Sequence, residues 1–296
     1  MKKILCIALG LSALYLPNVL ANNTNTLLEK KEVLVGYYGR PNTASLGILG
    51  QSSIKELVVK MKNKSKYYSE ELNNSINVKM AFHLIYALAT KDPGNDNDYI
   101  LNLGEKTVMK YIKAAKEEGF AVIIDLQLGT QTPLEAVLPV LKYLKYDNVH
   151  LAIDPEFKIP THRRYPPGRY IGHIFGKDLN AAQEVMNDYL EKNNIQEKRN
   201  LIVHMFHKRM LREKDSVKNY EKINLIYNID GHGQAGSKIK IYNGLFNETS
   251  SLVASSGFKI FYNADIKPLM TPKQILGLEA IGSRKIQIQP TYINYQ

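Results

Sequence analysis

Beyond its first twenty-one residues this chain contains no cysteine, and it contains no tryptophan anywhere. The single Cys6 sits in the N-terminal apolar stretch, so the rest of the chain can form no disulfide and offers no thiol nucleophile or thiolate metal ligand. Without indole rings, flat ligands would have to stack on the 19 tyrosines instead. Downstream of the N-terminus no apolar run approaches the ~18 residues of a membrane-spanning helix. Basic residues outnumber acidic ones, 39 to 28, for a net charge of +11. That charge is spread along the chain, without the like-charged blocks of a nucleic-acid arm. Attraction to an anionic surface or polymer is expected, and specific reading of nucleic acid is not. Metal-binding spacings such as His-x-His or His-Glu-x-x-His are also missing.

What is there begins with an address. Lys2 and Lys3 precede an apolar stretch from Ile4 to about Leu16, and Val19-Leu20-Ala21 supplies small residues for cleavage. Residues 1–21 therefore read as a secretory signal peptide cut after Ala21, which predicts a secreted or periplasmic protein. Its removal lowers the net charge to +9 by taking away Lys2 and Lys3. Residues 22–32 read as a flexible lead-in, and 33–296 as one domain, expected to be monomeric.

Eight apolar segments then alternate with helical patterns. They are Val33–Tyr38, Met80–Tyr86, Phe120–Leu126, Val149–Asp154, Leu201–Phe206, Asn224–Asp230, Phe258–Tyr262 and Lys285–Gln289. Thr132-Pro133-Leu134-Glu135 and Thr271-Pro272-Lys273-Gln274 are capping boxes with proline at the first helical position. Asp178 opens an amphipathic stretch through Tyr189, and Gly119 closes a helix that starts near Glu105. This alternation predicts an α/β fold, a single (β/α)8 barrel of the TIM type, with a doubly wound open sheet as the alternative.

In a barrel, alternate strand residues face the helices and the interior. Phe120, Val122, Ile124 and Leu126 would face out, leaving Ala121, Ile123, Asp125 and Gln127 inside. Val149, Leu151 and Ile153 oppose His150, Ala152, Asp154 and Glu156. Leu201, Val203 and Met205 oppose Ile202 and His204, Leu225, Tyr227 and Ile229 oppose Asn228 and Asp230, and His83 lies with Ala81 and Ile85. Each of these strands puts a polar side chain on its inner face near its C-terminal end, where barrel enzymes keep their chemistry.

The densest signal is Leu151-Ala152-Ile153-Asp154-Pro155-Glu156-Phe157. Pro155 biases Asp154 to extended backbone, and residues i and i+2 of a strand share a face. Two carboxylates there suit acid and base work on a glycosidic bond. The Asp-x-Glu stretch resembles the end of the fourth strand in chitinase-type barrels, and barrel muramidases carry a similar pair. His150 and Ala152 stand where chitinases repeat aspartate, which argues against substrate-assisted cleavage. The mature chain also resembles a group of secreted bacterial barrel proteins with an Asp-Pro-Glu strand end, a Pro167-Gly168 and Ile171-Gly172 loop and a later Asp230-Gly231. That resemblance implies a barrel and no particular substrate.

The reading is thus a glycoside-hydrolase-like protein acting on, or binding, a bacterial envelope or extracellular glycan. Glu156 is the expected general acid, Asp154 its neighbour that holds the proton and raises its pKa, and Asp230 the second carboxylate, with Asp125 in reserve. Asp125, Gln127, His83, His204, Tyr38 and Tyr262 are expected to bind substrate. Arg163 and Arg164, in the long connection Lys158–Lys177, would meet an anionic group on it. That connection and the polar stretch Lys91–Asp98 should both wall the cleft. No cofactor and no bound metal are expected. Two alternatives remain: a metal-dependent hydrolase or isomerase using His83, Asp125, Asp154, Glu156, His204 and Asp230 on zinc, manganese or magnesium, and a non-catalytic periplasmic or surface binding domain.

Overall fold

The computed structural model describes residues 32–160 and 165–296. The expected signal peptide, the lead-in up to residue 31 and the pair Arg163 and Arg164 lie outside them. Eight strands form the frame: β1 (Glu32–Gly39), β2 (Asn77–Ala89), β3 (Ala121–Gln127), β4 (Val149–Asp154), β5 (Arg199–Met205), β6 (Ile223–Ile229), β7 (Ser255–Ile260) and β8 (Tyr292–Tyr295). Each pairs in parallel with the next in chain order, and β1 pairs with both β2 and β8. The sheet is therefore closed, a (β/α)8 barrel and not the open alternative. A short antiparallel strand, Ile100–Asn102, extends it beside the end of β2.

The eighth strand differs from the sequence expectation. Lys285–Gln289 alternates like a strand, but its backbone is held by side chains: Asn243 Nδ2 donates to Lys285 O, Gln287 N donates to Asn243 Oδ1, and the Tyr242 hydroxyl donates to Ile288 O. Pro290 follows, and the ladder is made by Tyr292–Tyr295 instead. The helical signals hold where they were strongest. Thr132 with Glu135 and Thr271 with Gln274 each form both bonds of a capping box. The helix at Asp178 spans Gly176–Lys192, and that at Glu105 spans Glu105–Glu117, with Gly119 at φ +69° behind it. Among the described residues no helix is long and apolar enough to cross a membrane.

The alternation sorts side chains into two cores. Val122, Ile124, Leu151, Ile153, Leu201, Val203, Leu225 and Tyr227 pack between barrel and helices. Inside the barrel, Leu34, Ala81, Ala121, Ile123, Ala152, Ile202, Ile226 and Tyr292 form a second buried cluster. Tyr292 fits there because two glycines make room: a Cβ on Gly36 would lie 2.5 Å from its hydroxyl, and one on Gly257 3.1 Å from its ring. The room so made lets the Tyr292 hydroxyl reach His83 Nδ1 at 2.6 Å. Packing at the interior core thereby sets the orientation of a residue in the polar layer above it.

Candidate active site at the barrel mouth

Above the apolar cluster, the inner faces turn polar. His83 from β2, Asp125 from β3, Asp154 from β4, His204 from β5, Asn228 from β6 and Lys259 from β7 are all buried, with Asp230 just past β6. A cleft of about 450 Å³ opens over them. Tyr38, Gln127, Asp154, Glu156, Asp230 and Lys259 line it, with Phe157, Phe206 and Phe261 as aromatic walls. Barrels place such clefts at the C-terminal ends of their strands.

Asp154 and Glu156 do share this cleft, by a different route from continued strand. The chain turns into a short 3-10 helix, Pro155–Phe157, and the Asp154 side chain accepts the Glu156 N–H at 3.0 Å. The turn leaves Glu156 partly exposed in the opening while Asp154 stays buried. Burial pushes the Asp154 carboxyl up to about 8, and the charges of Asp125, Asp230 and Glu156 add to the push. Burial also raises Glu156, helped next by the charge of Asp230. The neighbouring charge that raises Glu156 is that of Asp230 and not, as expected from the sequence, that of Asp154.

The other two carboxylates are driven the opposite way. Burial works to raise Asp230, but the hydrogen bond from His204 Nδ1 at 3.1 Å and the ammonium of Lys259 at 3.7 Å outweigh it. For Asp125 burial is outweighed by His204 and His83. The imidazoles split in turn. Burial lowers His83 to about 4, whereas at His204 the pull of burial is overcome by Asp125 and Asp230 and the pKa rises. Tyr38 packs edge-on against both rings, at 4.8 Å and 5.8 Å between centroids, and Lys259 lies 4.0 Å over the Tyr38 ring.

Not every expected residue comes to the cleft. Asp125, His83 and His204 lie beneath its floor, with no exposure of the two rings. Tyr262 stacks on Tyr295 at 5.4 Å and lines an adjoining pocket of about 310 Å³, which shares Phe261 and Gln296 with the cleft. Gln127 lines the cleft while its Oε1 accepts the Ala89 N–H at 2.8 Å. The Lys91–Asp98 stretch does not wall it: Asp98 is spent on the turn after β3, accepting from Gln131 Nε2 at 2.6 Å and from Thr130 N. Among the described residues of Lys158–Lys177, none lines the cleft. Lys259 is the residue sequence reasoning missed. Its signal was available, since Phe258 and Ile260 face the helices and leave Lys259 inside.

The loops that close the cleft are tied down by one buried ion pair. Lys238, on the helix Ala235–Leu245, meets Asp265 Oδ2 at 2.6 Å, and Asp265 also accepts the N–H groups of Gly233 and Phe261. These bonds satisfy a pair of charges that would otherwise be costly to bury. They also fix Phe261 and the Asp230–Gly233 turn against the opening.

Fold and site together define a single (β/α)8 barrel with opposed carboxyl groups at its mouth. No protein-family model matches the chain, and no curated protein does. Among solved structures, Cel5A of Thermotoga maritima, a mutant form in complex with cellobiose, superposes with a TM-score of 0.47 at 13% identity, over 92% of this chain and 90% of that one. The endoglucanase Cel5A structure from the same organism gives 0.46 at 11%, over 92% and 90%. The Thermobaculum terrenum O-GlcNAc hydrolase mutant gives 0.44 at 9%, over 91% of this chain and 55% of that one. The strand pairing, and not these overlaps, defines the fold.

Proposed function

We propose that the chain is a glycoside hydrolase whose substrate is a bacterial envelope or extracellular glycan, reached after export by the N-terminal signal peptide. One observation carries this reading: carboxyl groups that burial shifts upward and a carboxylate paired with His204 and Lys259 line the same cleft. Glycosidic cleavage needs such a pair, an acid to protonate the leaving oxygen and a carboxylate to meet the charge that develops on the sugar ring. Glu156 is the acid, because it is the raised carboxyl that reaches the opening. Asp230 is the carboxylate, held ionised between His204 and Lys259. Asp154 fixes the Glu156 backbone through its turn bond. Phe157, Phe206 and Phe261 give the sugar faces their apolar surface in place of tryptophan.

The test is hydrolysis of a panel of bacterial and plant β- and α-glycans by the wild type and by Glu156→Gln. Gln keeps size and hydrogen bonding but has no transferable proton, so turnover should fall by a factor of about 10² to 10⁴ with an unchanged melting temperature. A wild type that cleaves no member of the panel, or a variant as active as the wild type, would refute the assignment.

A further inference from the structure

Below the cleft floor, His83 and His204 both aim Nε2 at the same oxygen, Asp125 Oδ2, at 3.5 Å and 3.6 Å. All three side chains are fully buried, and their candidate ligand atoms lie within 4.8 Å of one another. Neither separation is a hydrogen bond of ordinary length, which for N–H···O is about 2.7–3.2 Å. Neither Nε2 atom and neither oxygen of Asp125 has a hydrogen bond of ordinary geometry among the described residues, although the Tyr38 hydroxyl lies close enough to Asp125 to interact with it. Buried polar atoms without partners are rare in folded proteins and ask for an explanation.

The far side of each ring is occupied. His83 Nδ1 is 2.6 Å from the Tyr292 hydroxyl, and His204 Nδ1 is 3.1 Å from Asp230 Oδ2. A histidine that gives its Nδ1–H to a carboxylate presents a lone pair at Nε2. In a neutral His204 of that tautomer the lone pair faces a carboxylate oxygen, which is repulsive unless a cation lies between, whereas His83, whose Nδ1 can accept from the Tyr292 hydroxyl, is free to take either tautomer. Metal-bound histidines are oriented in this way, one nitrogen on the metal and the other on a carboxylate or hydroxyl. The two N···O separations are near that of a metal site, where two ligands each about 2.0–2.1 Å from a tetrahedral ion stand about 3.4 Å apart. Lys259 is directed at Asp230, so among the described residues the ion pairs of Asp125 are with the two imidazoles alone.

We propose that His83, Asp125 and His204 bind one divalent transition-metal ion inside the barrel, beneath the cleft floor. Two imidazoles and one carboxylate suit zinc or its neighbours in the first row. Tyr292 and Asp230 hold the rings in place. Tyr38, packed edge-on over both imidazoles, separates the ion from the cleft. The rival occupant is a proton: an imidazolium at His204 would relieve the same repulsion.

Titration calorimetry with Zn²⁺ on chelator-stripped protein, together with the visible spectrum of its Co²⁺ form, separates the two. The metal site predicts one ion per chain, a higher melting temperature with Zn²⁺, and an intense visible band from a four- or five-coordinate Co²⁺. His83→Gln and Asp125→Asn should each weaken Zn²⁺ binding about 100-fold or more, and Asp230→Asn about 10- to 100-fold. Should a variant fail to fold, the wild-type Co²⁺ spectrum decides alone. Absence of saturable binding, a spectrum like that of hydrated Co²⁺, or unchanged affinity in both ligand variants would overturn the proposal and leave the proton. Glu156→Gln should bind Zn²⁺ like the wild type, so loss of hydrolysis and loss of metal are read separately.

Discussion

The two levels of the barrel interior are made by one alternation and behave in opposite ways. Lower down, Leu34, Ala81, Ala121, Ile123, Ala152, Ile202 and Ile226 fill space with small and branched side chains. Higher up, the same strands carry His83, Asp125, Asp154, His204 and Asn228, all buried. The lower level stabilises by apolar burial and close packing. The upper level is destabilising by the same measure, because charges and unpaired polar atoms are kept from water. Groups this poorly solvated have strongly shifted proton affinities, which is what acid and base chemistry at neutral pH requires.

The sharpest way to break the comparison is to damage the lower level. Ile202→Ala should cost about 2–5 kcal/mol, read as a lower denaturation midpoint, while the carboxyl protonation states above stay as they were. A second substitution should have the reverse character. Asp154 has its folded pKa at about 8, above the ordinary 3.8, so the folded chain keeps a proton that the unfolded chain releases. Stability therefore falls as pH rises between about 4 and 8, and the penalty is fully present above that window. Asp154→Asn cannot ionise, and its melting temperature should exceed that of the wild type at pH 9 by several degrees while converging with it near pH 4. The smallest effect is expected outside the barrel. Lys116→Gln breaks an exposed ion pair with Asp147 and should shift stability by less than about 1 kcal/mol.

Much of this layering was legible in the sequence because strand periodicity is fixed at two. Asp125, Asp154, His204 and Asn228 could be assigned to the interior from their apolar neighbours alone, and seven strands were placed within a few residues. Lys285–Gln289 misled because alternation shows only that one face is apolar, not what its backbone bonds to. Glu156 reached the right cleft through a turn that the extended reading did not contain. Lys259 is less legible because a lone lysine in a strand ordinarily faces solvent, although the flanking Phe258 and Ile260 mark it as inward. That His83, Asp125 and His204 share the barrel mouth was legible, but not that both Nε2 atoms face one Asp125 oxygen, because strand periodicity fixes the face of a side chain and not its rotamer.

The central claim is that carboxyl groups around one cleft are held in opposite protonation states, and carbon-13 NMR titration of the side-chain carboxyls tests it without knowledge of the substrate. With resonances assigned through Asp154→Asn, Glu156→Gln and Asp230→Asn, Asp154 should titrate near pH 8 and Glu156 above the ordinary glutamate range. Asp230 should titrate below the ordinary aspartate value. Ordinary values for Asp154 and Glu156 would contradict the account, leaving the mouth with no acid to donate.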